Sequence, residues 1–157
     1  MQIKLLAVGK TDSAAIAELT EIYTKRLTRY IRFEIQIIPD LKKRAKLSFE
    51  QQKKQEGDLI LNQLSPSDFV VLLDEAGKQF TSMAFADYLQ QRMNSGIKTL
   101  VFVIGGPYGF AEEVYQRANS KLSLSKMTFS HQMVRLFFAE QLYRAFSILN
   151  NEPYHHQ

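Results

Sequence analysis

A glycine-rich turn at residues 105–109, Gly-Gly-Pro-Tyr-Gly, is the first place in the sequence where a ligand could approach the backbone. It follows a predicted buried strand and precedes a predicted helix, a position where glycines expose backbone N–H groups to small molecules. The turn lacks both the G-x-G-x-x-G pattern of dinucleotide sites and the Gly-Lys-Ser/Thr of Walker loops. Nicotinamide and nucleoside-triphosphate cofactors are therefore disfavoured, and an ordinary strand-to-helix turn is an equal alternative.

A second candidate is the hydroxyl-rich segment 124–129, which runs towards His131. It has neither a helical nor a strand period and is predicted to be a loop that leads into a capped helix. In that helix Arg135 lies among apolar positions, and a buried guanidinium needs an anionic or carbonyl partner. Arg135 could close a structural ion pair or hold a phosphate or carboxylate. Arg144 could pair with Glu140, four residues earlier.

The C-terminal tail carries further groups that could move a proton. Tyr154, His155 and His156 follow Pro153, and imidazole titrates near neutral pH, as suits a general base. Taken alone, a terminal pair of histidines is more often a disordered end than a site. The three histidines have no recognisable spacing for metal ligands, and the absence of cysteine excludes disulfides, thiolate catalysis and thiolate zinc sites.

These segments must be positioned by strands and helices that alternate from end to end. Strands are predicted at residues 3–8, 33–37, 69–73, 99–104 and 122–124, and helices at about 13–30, 48–64, 82–93, 111–118 and 132–149. Residues 74–78 are predicted to be a turn. The alternation predicts an α/β fold, a single domain (1–157) with a mostly parallel sheet flanked by helices. Because the last helix has no polar face, we expect a partner subunit to cover part of it.

The composition narrows the class of partner. The 157 residues carry a formal net charge of +4, which favours an anionic partner such as nucleic acid. Four cations between residues 42 and 46 could bind phosphates, although a solvated loop is the safer interpretation of each one: Lys42, Lys43, Arg44 and Lys46. No apolar run is long enough to cross a membrane and no secretion signal stands at the N-terminus, so we expect a cytoplasmic protein.

Several of these segments resemble one family over nearly the whole chain. The matching blocks are residues 1–10, 72–78, 103–109 and 122–129, followed by Val-Arg at 134–135, Glu-Gln-Leu-Tyr-Arg-Ala at 140–145 and Pro-Tyr-His at 153–155. In this order they resemble the RlmH family, SPOUT-class methyltransferases of large-subunit ribosomal RNA. The family often has proline where this chain has Ser130, a difference that alters a loop preference and no implied role.

The resemblance implies more than the residue pattern itself can show. It implies a SPOUT fold with a C-terminal trefoil knot, a homodimer, and transfer of a methyl group from S-adenosylmethionine, without a metal, to N3 of a pseudouridine in 23S ribosomal RNA. The N3–H must lose its proton, which calls for a base such as His155 or a relay through a tyrosine. The substrate would be the RNA within the ribosome or its large subunit.

The family's functional positions can be carried over to matching residues of this sequence. The resemblance implies a cofactor pocket formed by Leu73, Gly105, Gly106, Leu124, Ser125, Lys126, Met127, Thr128 and Phe129. It implies catalytic or RNA-positioning roles for His131, Arg135, Arg144, Tyr154 and His155. The tail of one subunit would close the pocket of the other.

Two other functions are open at this point. A non-catalytic RNA-binding factor for ribosome assembly with the same fold would bind RNA but not the cofactor. An α/β enzyme acting on small molecules would bind NAD or ATP at the glycine turn and show no salt-sensitive affinity for RNA.

Overall fold

The computed structural model describes residues 1–41 and 44–156, in which strands and helices alternate. The strands are β1 (Gln2–Val8), β2 (Arg32–Ile38), β3 (Phe69–Gln79), β4 (Thr99–Ile104) and β5 (Ser120–Ser123). The α-helices are α1 (Ala14–Leu27), α2 (Phe49–Leu61), α3 (Ser82–Asn94), α4 (Glu112–Arg117) and α5 (His131–Leu149), with a short 3₁₀ turn at Arg44–Lys46. The predicted α/β class is confirmed.

The strands form one five-stranded sheet in the order β2-β1-β4-β3-β5, and every neighbouring pair is parallel. Helices cover both faces because successive side chains of a strand point to opposite sides. In β1, Ile3 and Leu5 face the layer of α1, α3 and α5, whereas Leu6 and Val8 face α2 and α4. The knot that the resemblance implies stays a prediction.

Local sequence signals fix the starts of four helices. Each of these helices is preceded by a hydroxyl side chain that accepts a hydrogen bond from the backbone N–H three residues later: Ser13, Ser48, Thr81 and Ser130. At α2 the side chain of Gln51 also accepts from the backbone of Ser48, which completes a capping box. These caps set where α2 and α5 begin, and both starts bear on the site described below.

The predicted turn at residues 74–78 is wrong, because β3 continues through it to Gln79. The four residues after Leu73 bulge out of the ladder, so that Leu73 and Lys78 both pair with Leu122 of β5. Turn-like chemistry is present locally, since Asp74 accepts a hydrogen bond from the backbone of Ala76 at 2.8 Å. Gly77 permits the bulge, because a Cβ there would stand 2.5–2.8 Å from the backbone of Leu122. The predicted last strand also ends one residue early, at Ser123.

Much of the apolar circumference of α5 is covered within the same chain. The helix packs on the sheet and lies between α1 and α3 of the same chain, and Phe137 is its one exposed large apolar side chain. Two neighbouring helices of the same chain therefore cover much of this surface, whereas Val134, Leu136 and Ile148 stay half-buried. The partner subunit over part of α5 stays a prediction. No helix among the described residues is long and apolar enough to cross a membrane.

Candidate active site

The strand register brings three predicted cofactor residues together at the carboxyl edge of the sheet. Leu73 of β3 pairs with Ile104 of β4 on one side and with Leu122 of β5 on the other. Gly105 follows Ile104 directly, and Leu124 lies two residues beyond Leu122. The ends of three adjacent parallel strands therefore meet here, which is the usual position of a ligand site in an open α/β sheet.

The glycine turn after β4 packs tightly against the side chains of Phe110 and Glu56. Gly106 accepts a hydrogen bond from the N–H of Gly109 at 3.2 Å, and Gly109 has φ +79°, so the chain reverses sharply. A Cβ on Gly105 would stand 3.0–3.3 Å from the ring of Phe110, and one on Gly106 would overlap the carboxylate of Glu56. An added methyl group at Gly105 would need the ring of Phe110 to move by a few tenths of an ångström, whereas one at Gly106 would displace the buried side chain of Glu56.

The loop of residues 124–129 leaves backbone groups free on the side of the site. Its shape is held by two short hydrogen bonds, from Ser123 Oγ to the carbonyl of Ser125 (2.8 Å) and from the N–H of Met127 to Ser125 Oγ (2.9 Å). Within the described part of the chain, five other amides of the loop donate no hydrogen bond: those of Leu124, Ser125, Lys126, Thr128 and Phe129. A strip of unpaired N–H groups beside apolar side chains can bind a flat, polar-edged ligand.

An apolar cavity of about 200 Å³ adjoins the same loop. It lies between the start of α3 and the first half of α5 and is lined by Phe80, Thr81, Phe85, Leu122, Ser123, Leu124, Phe129, Phe137 and Gln141. Sites for small molecules typically measure roughly 300–1,000 Å³. Since neither Leu73 nor a glycine of the turn lines it, the cavity is a neighbouring pocket and not the centre of the candidate site.

The first turn of α5 is fastened to the loop after β1. The side chain of Gln132 donates to the carbonyl of Lys10 (3.0 Å) and accepts from the N–H of Asp12 (3.0 Å). His131 is the first residue of this helix and is half-buried. These contacts place His131 at the end of the 124–129 loop, at the carboxyl edge of the sheet.

Arg135 is 1% exposed, and neutral groups satisfy its two terminal nitrogens, whereas its Nε has no hydrogen-bond partner among the described residues. Its Nη2 donates to the carbonyl of Val8 at 2.9 Å and its Nη1 to the hydroxyl of Thr11 at 2.9 Å. Burial lowers the pKa of Arg135, and the charges of Asp12 and Asp40 oppose that effect. The prediction of a carbonyl partner is confirmed. Because its side chain is enclosed, Arg135 holds α5 against the end of β1 and does not reach a surface where RNA could lie.

The other predicted residues form a second group, which we call the tail cluster: Arg144, Tyr154 and His155, with Glu140 and Tyr23. Glu140 accepts from Arg144 Nε at 3.1 Å and from the hydroxyl of Tyr154 at 3.1 Å. The hydroxyls of Tyr154 and Tyr23 are 3.4 Å apart, and Arg144 Nη1 lies 3.4 Å from His155 Nδ1. The predicted pair of Glu140 with Arg144 is confirmed.

The tail is docked rather than loose. The ring of Tyr154 packs edge-on against Tyr143, with centroids 4.7 Å apart and an angle of 72°. Two residues earlier, Glu152 accepts a hydrogen bond from the hydroxyl of Tyr30 at 2.5 Å and forms an ion pair with Arg29 at 3.1 Å. The disordered end that the two terminal histidines favour when taken alone is therefore wrong, because residues just after α1 bind the tail from more than a hundred positions away in sequence.

The environment of the tail cluster sets the protonation of two of its members. Burial raises the pKa of Tyr154 well above its usual range, and the hydrogen bond with Tyr23 and the negative charge of Glu140 raise it further. The hydrogen bond to Glu140 raises the pKa of Arg144. At neutral pH, Tyr154 is thus a neutral phenol and Arg144 a cation.

The two groups of candidate residues lie at opposite ends of α5. Arg144 comes thirteen residues after His131 in this helix, which corresponds to about 20 Å at 1.5 Å per residue. His131 adjoins the 124–129 loop at the carboxyl edge, whereas Glu152 beside the tail cluster contacts Tyr30, just before β2 begins. One chain therefore does not bring Tyr154 and His155 to its own glycine turn.

Sequence reasoning missed the part played by α1 in this cluster. Tyr23 and Tyr30 contact the tail across 131 and 122 residues of sequence, and no spacing rule links positions so far apart. The i,i+4 relation did identify Glu140 as a partner of Arg144 but not as the acceptor for Tyr154. Among the described residues, no group of three or more His, Asp or Glu side chains is arranged to hold a metal ion.

Comparison with known proteins identifies the family. The family described as "Predicted SPOUT methyltransferase" matches residues 1–155. Proteins named "Ribosomal RNA large subunit methyltransferase H" from Christiangramia forsetii, Flavobacterium johnsoniae and Parabacteroides distasonis are 66%, 62% and 59% identical to this chain. Each match covers all of this chain and all of the relative. The carboxyl-edge site on a parallel sheet and these full-length similarities together show that the chain belongs to the SPOUT methyltransferase family.

Proposed function

We propose that this protein uses S-adenosylmethionine to methylate N3 of a pseudouridine in 23S ribosomal RNA. The observation that carries the proposal is the meeting of Leu73, Gly105 and Leu124 at the ends of three adjacent strands. The names of relatives that match over their full length support large-subunit ribosomal RNA as the substrate. A cytoplasmic location follows for an enzyme that acts on ribosomes.

The residues at the carboxyl edge fit an adenosyl cofactor. The unpaired amides of the 124–129 loop would bind the polar edge of the adenine, and the apolar side chains of Leu73, Leu124 and Met127 would contact its faces. Gly105 would allow the cofactor to lie close to the backbone at the end of β4. When bound, this cofactor supplies a methyl group that is already electrophilic, so the protein's task is alignment and exclusion of water.

The base that removes the N3 proton is assigned to His155. The raised pKa of Tyr154 makes its phenolate a scarce species at neutral pH, which disfavours Tyr154 as the proton acceptor. Arg144 Nη1 lies 3.4 Å from His155 Nδ1, and Glu140 holds both Arg144 and Tyr154 in place beside it. In this assignment Arg144 also provides positive charge for the RNA, and Arg135 acts by holding α5 in place.

A complete active site requires two chains. The tail cluster and the carboxyl-edge site are about 20 Å apart along α5, so a tail can complete a pocket only if it belongs to a partner subunit. The proposed assembly is a homodimer in which each pocket is closed by the other chain's tail. Sedimentation at micromolar concentration should give about twice the chain mass of 18.1 kDa.

Mass spectrometry of ribosomal RNA from cells with and without the protein tests the reaction. The RNA should lose one methyl group at one pseudouridine when the protein is absent, and purified protein with S-adenosylmethionine should restore it. RNA binding without methyl transfer would contradict the proposal and support the non-catalytic assembly factor.

Complementation between two inactive chains tests the shared site. A chain lacking residues 154–157 keeps its pocket, whereas Leu124→Asp places a carboxylate in the pocket and keeps the tail. Each homodimer should be inactive, and a mixed dimer should regain activity at one of its two sites. An inactive mixed dimer would mean that each chain completes its own pocket.

A further inference from the structure

Two aromatic rings stack on the surface beside the glycine turn. Phe49 is 65% exposed and Tyr108 is 41% exposed, yet their ring centroids are only 4.3 Å apart at an angle of 29°. Neither residue belongs to either hydrophobic core cluster. Large apolar rings are usually buried, so an ordered exposed pair that contributes nothing to the core needs another explanation.

Local structure holds both rings in place. Phe49 is the first residue of α2, and the capping box between Ser48 and Gln51 fixes that position. Tyr108 stands at the tip of the glycine turn, where the bridge between Gly106 and Gly109 closes the reversal of the chain. The pair is therefore preorganised, which reduces the entropy lost when a third flat group binds.

The position of the pair points towards the substrate. The turn that carries Tyr108 begins at Gly105, one of the proposed cofactor residues, so the rings border the carboxyl-edge site on the side of α2. A nucleotide lying next to the methylated base in the RNA chain would be within reach of this surface.

The charge around the pair fits RNA. Lys46 is exposed and lies three residues before Phe49, and three further cations precede it in sequence: Lys42, Lys43 and Arg44. The neighbouring acid, Glu50, is paired with Lys53 at 3.0 Å, so its charge is partly neutralised. Lys42 and Lys43 lie outside the described residues, so they and Arg44 contribute here only the charge that the sequence gives them.

We infer that Phe49 and Tyr108 form a stacking platform for an unpaired base of the ribosomal RNA, flanking the base that is methylated. The inference rests on the proposed function and adds a recognition surface to it. Proteins that bind single-stranded RNA commonly combine aromatic stacking with a basic groove, and stacking tolerates any base because every base has a π-face.

Phe49→Ala removes the outer ring without touching the glycine turn. Losing one stacked base should lower kcat/KM for ribosomal RNA about 10- to 100-fold, mainly through KM. The cofactor affinity from calorimetry and kcat at saturating RNA should stay unchanged. Phe49→Tyr should retain nearly full activity. Met83→Ala is a matched control, because Met83 is 38% exposed on α3 in the opposite helix layer. An unchanged KM in Phe49→Ala would overturn the inference.

The chain contains no tryptophan, so Phe49→Trp introduces a unique fluorophore at the platform. Titration with a protein-free 23S ribosomal RNA transcript should quench its emission, because a stacked base contacts the indole. Met83→Trp should show little quenching. If Phe49→Ala raises KM on ribosomes but the transcript leaves the Trp emission unchanged, the surface binds a ribosomal protein and RNA stacking is refuted. Quenching by RNA in a protein that transfers no methyl group would overturn the proposed reaction and leave the platform standing.

Discussion

Deleting residues 154–157 best distinguishes a tail that is needed for methyl transfer from a tail that is docked but has no role in the reaction. In the folded chain, the hydroxyl of Tyr154 donates to Glu140 at 3.1 Å and its ring packs edge-on against Tyr143 at 4.7 Å. The guanidinium of Arg144 lies over the same ring, 4.7 Å from its centroid. The deletion removes all three contacts together with His155.

The expected loss of stability is small but measurable. A hydrogen bond to a carboxylate contributes about 1.5 kcal/mol at the low end of its range, suited to a partly exposed group. An aromatic pair adds about 1 kcal/mol, and partial burial of the ring adds about another 1–2 kcal/mol. Releasing two ordered residues returns roughly 2–3 kcal/mol of conformational entropy. The free energy of unfolding should therefore fall by about 1–2 kcal/mol.

The expected loss of activity is far larger than this loss of stability. Removing a general base and its positioning groups costs about 10²-fold or more, so single-turnover methyl transfer on ribosomes should fall by at least that factor. His155→Ala should reproduce most of the loss. Tyr154→Phe keeps the ring and should lose less activity than the deletion. His156→Ala is the control, since only the first histidine matches the family's motif.

Urea unfolding and single-turnover methylation, measured on the same preparations, decide the outcome. Cofactor affinity should fall modestly at most, so saturating S-adenosylmethionine should not rescue the deleted chain. A methylation rate near that of the intact protein would refute the catalytic role of the tail. An unchanged free energy of unfolding would refute the docking contacts from which the magnitude was calculated.

Three further predictions concern other parts of the molecule. Gly105→Ala should weaken binding of S-adenosylmethionine several-fold in calorimetry, because the new methyl group must fit 3.0–3.3 Å from the ring of Phe110. Unchanged affinity in a folded variant would show that Gly105 is not part of the cofactor site. Neutralising the four cations between residues 42 and 46 should weaken ribosome binding and flatten its salt dependence without changing cofactor affinity, whereas an unchanged salt slope would indicate a solvated loop. Burial, with a hydrogen bond to Asp74, raises the pKa of Tyr115 to about 12. The folded state then holds this proton more tightly than the unfolded chain, so its stabilising effect is complete below pH of about 10 and lost as the pH rises towards 12. Urea midpoints should fall over that range, and less so in Tyr115→Phe.

The sequence alone determined the features that depend on neighbours along the chain. The order of strands and helices, the four hydroxyl caps and the break at the glycine turn all follow from short-range rules of periodicity, capping and backbone freedom. The pairing of Glu140 with Arg144 could be predicted for the same reason, because residues four positions apart lie about one helical turn apart on the same face. The resemblance to a family added candidate site residues that no spacing rule supplies.

Only the tertiary structure decided which distant segments meet. The sheet order sets β3 between β4 and β5, which brings Leu73 beside Gly105 and Leu124, and it lets β3 resume pairing after a bulge that looked like a turn. Packing against α1 and α3 covers much of α5 within the same chain, and α1 and the segment after it supply Tyr23 and Tyr30 to the tail. These contacts join residues separated by tens to more than a hundred positions. These contacts form because the whole fold buries the most apolar surface and pairs its buried polar groups. Neither quantity can be calculated from the spacing of residues along the chain.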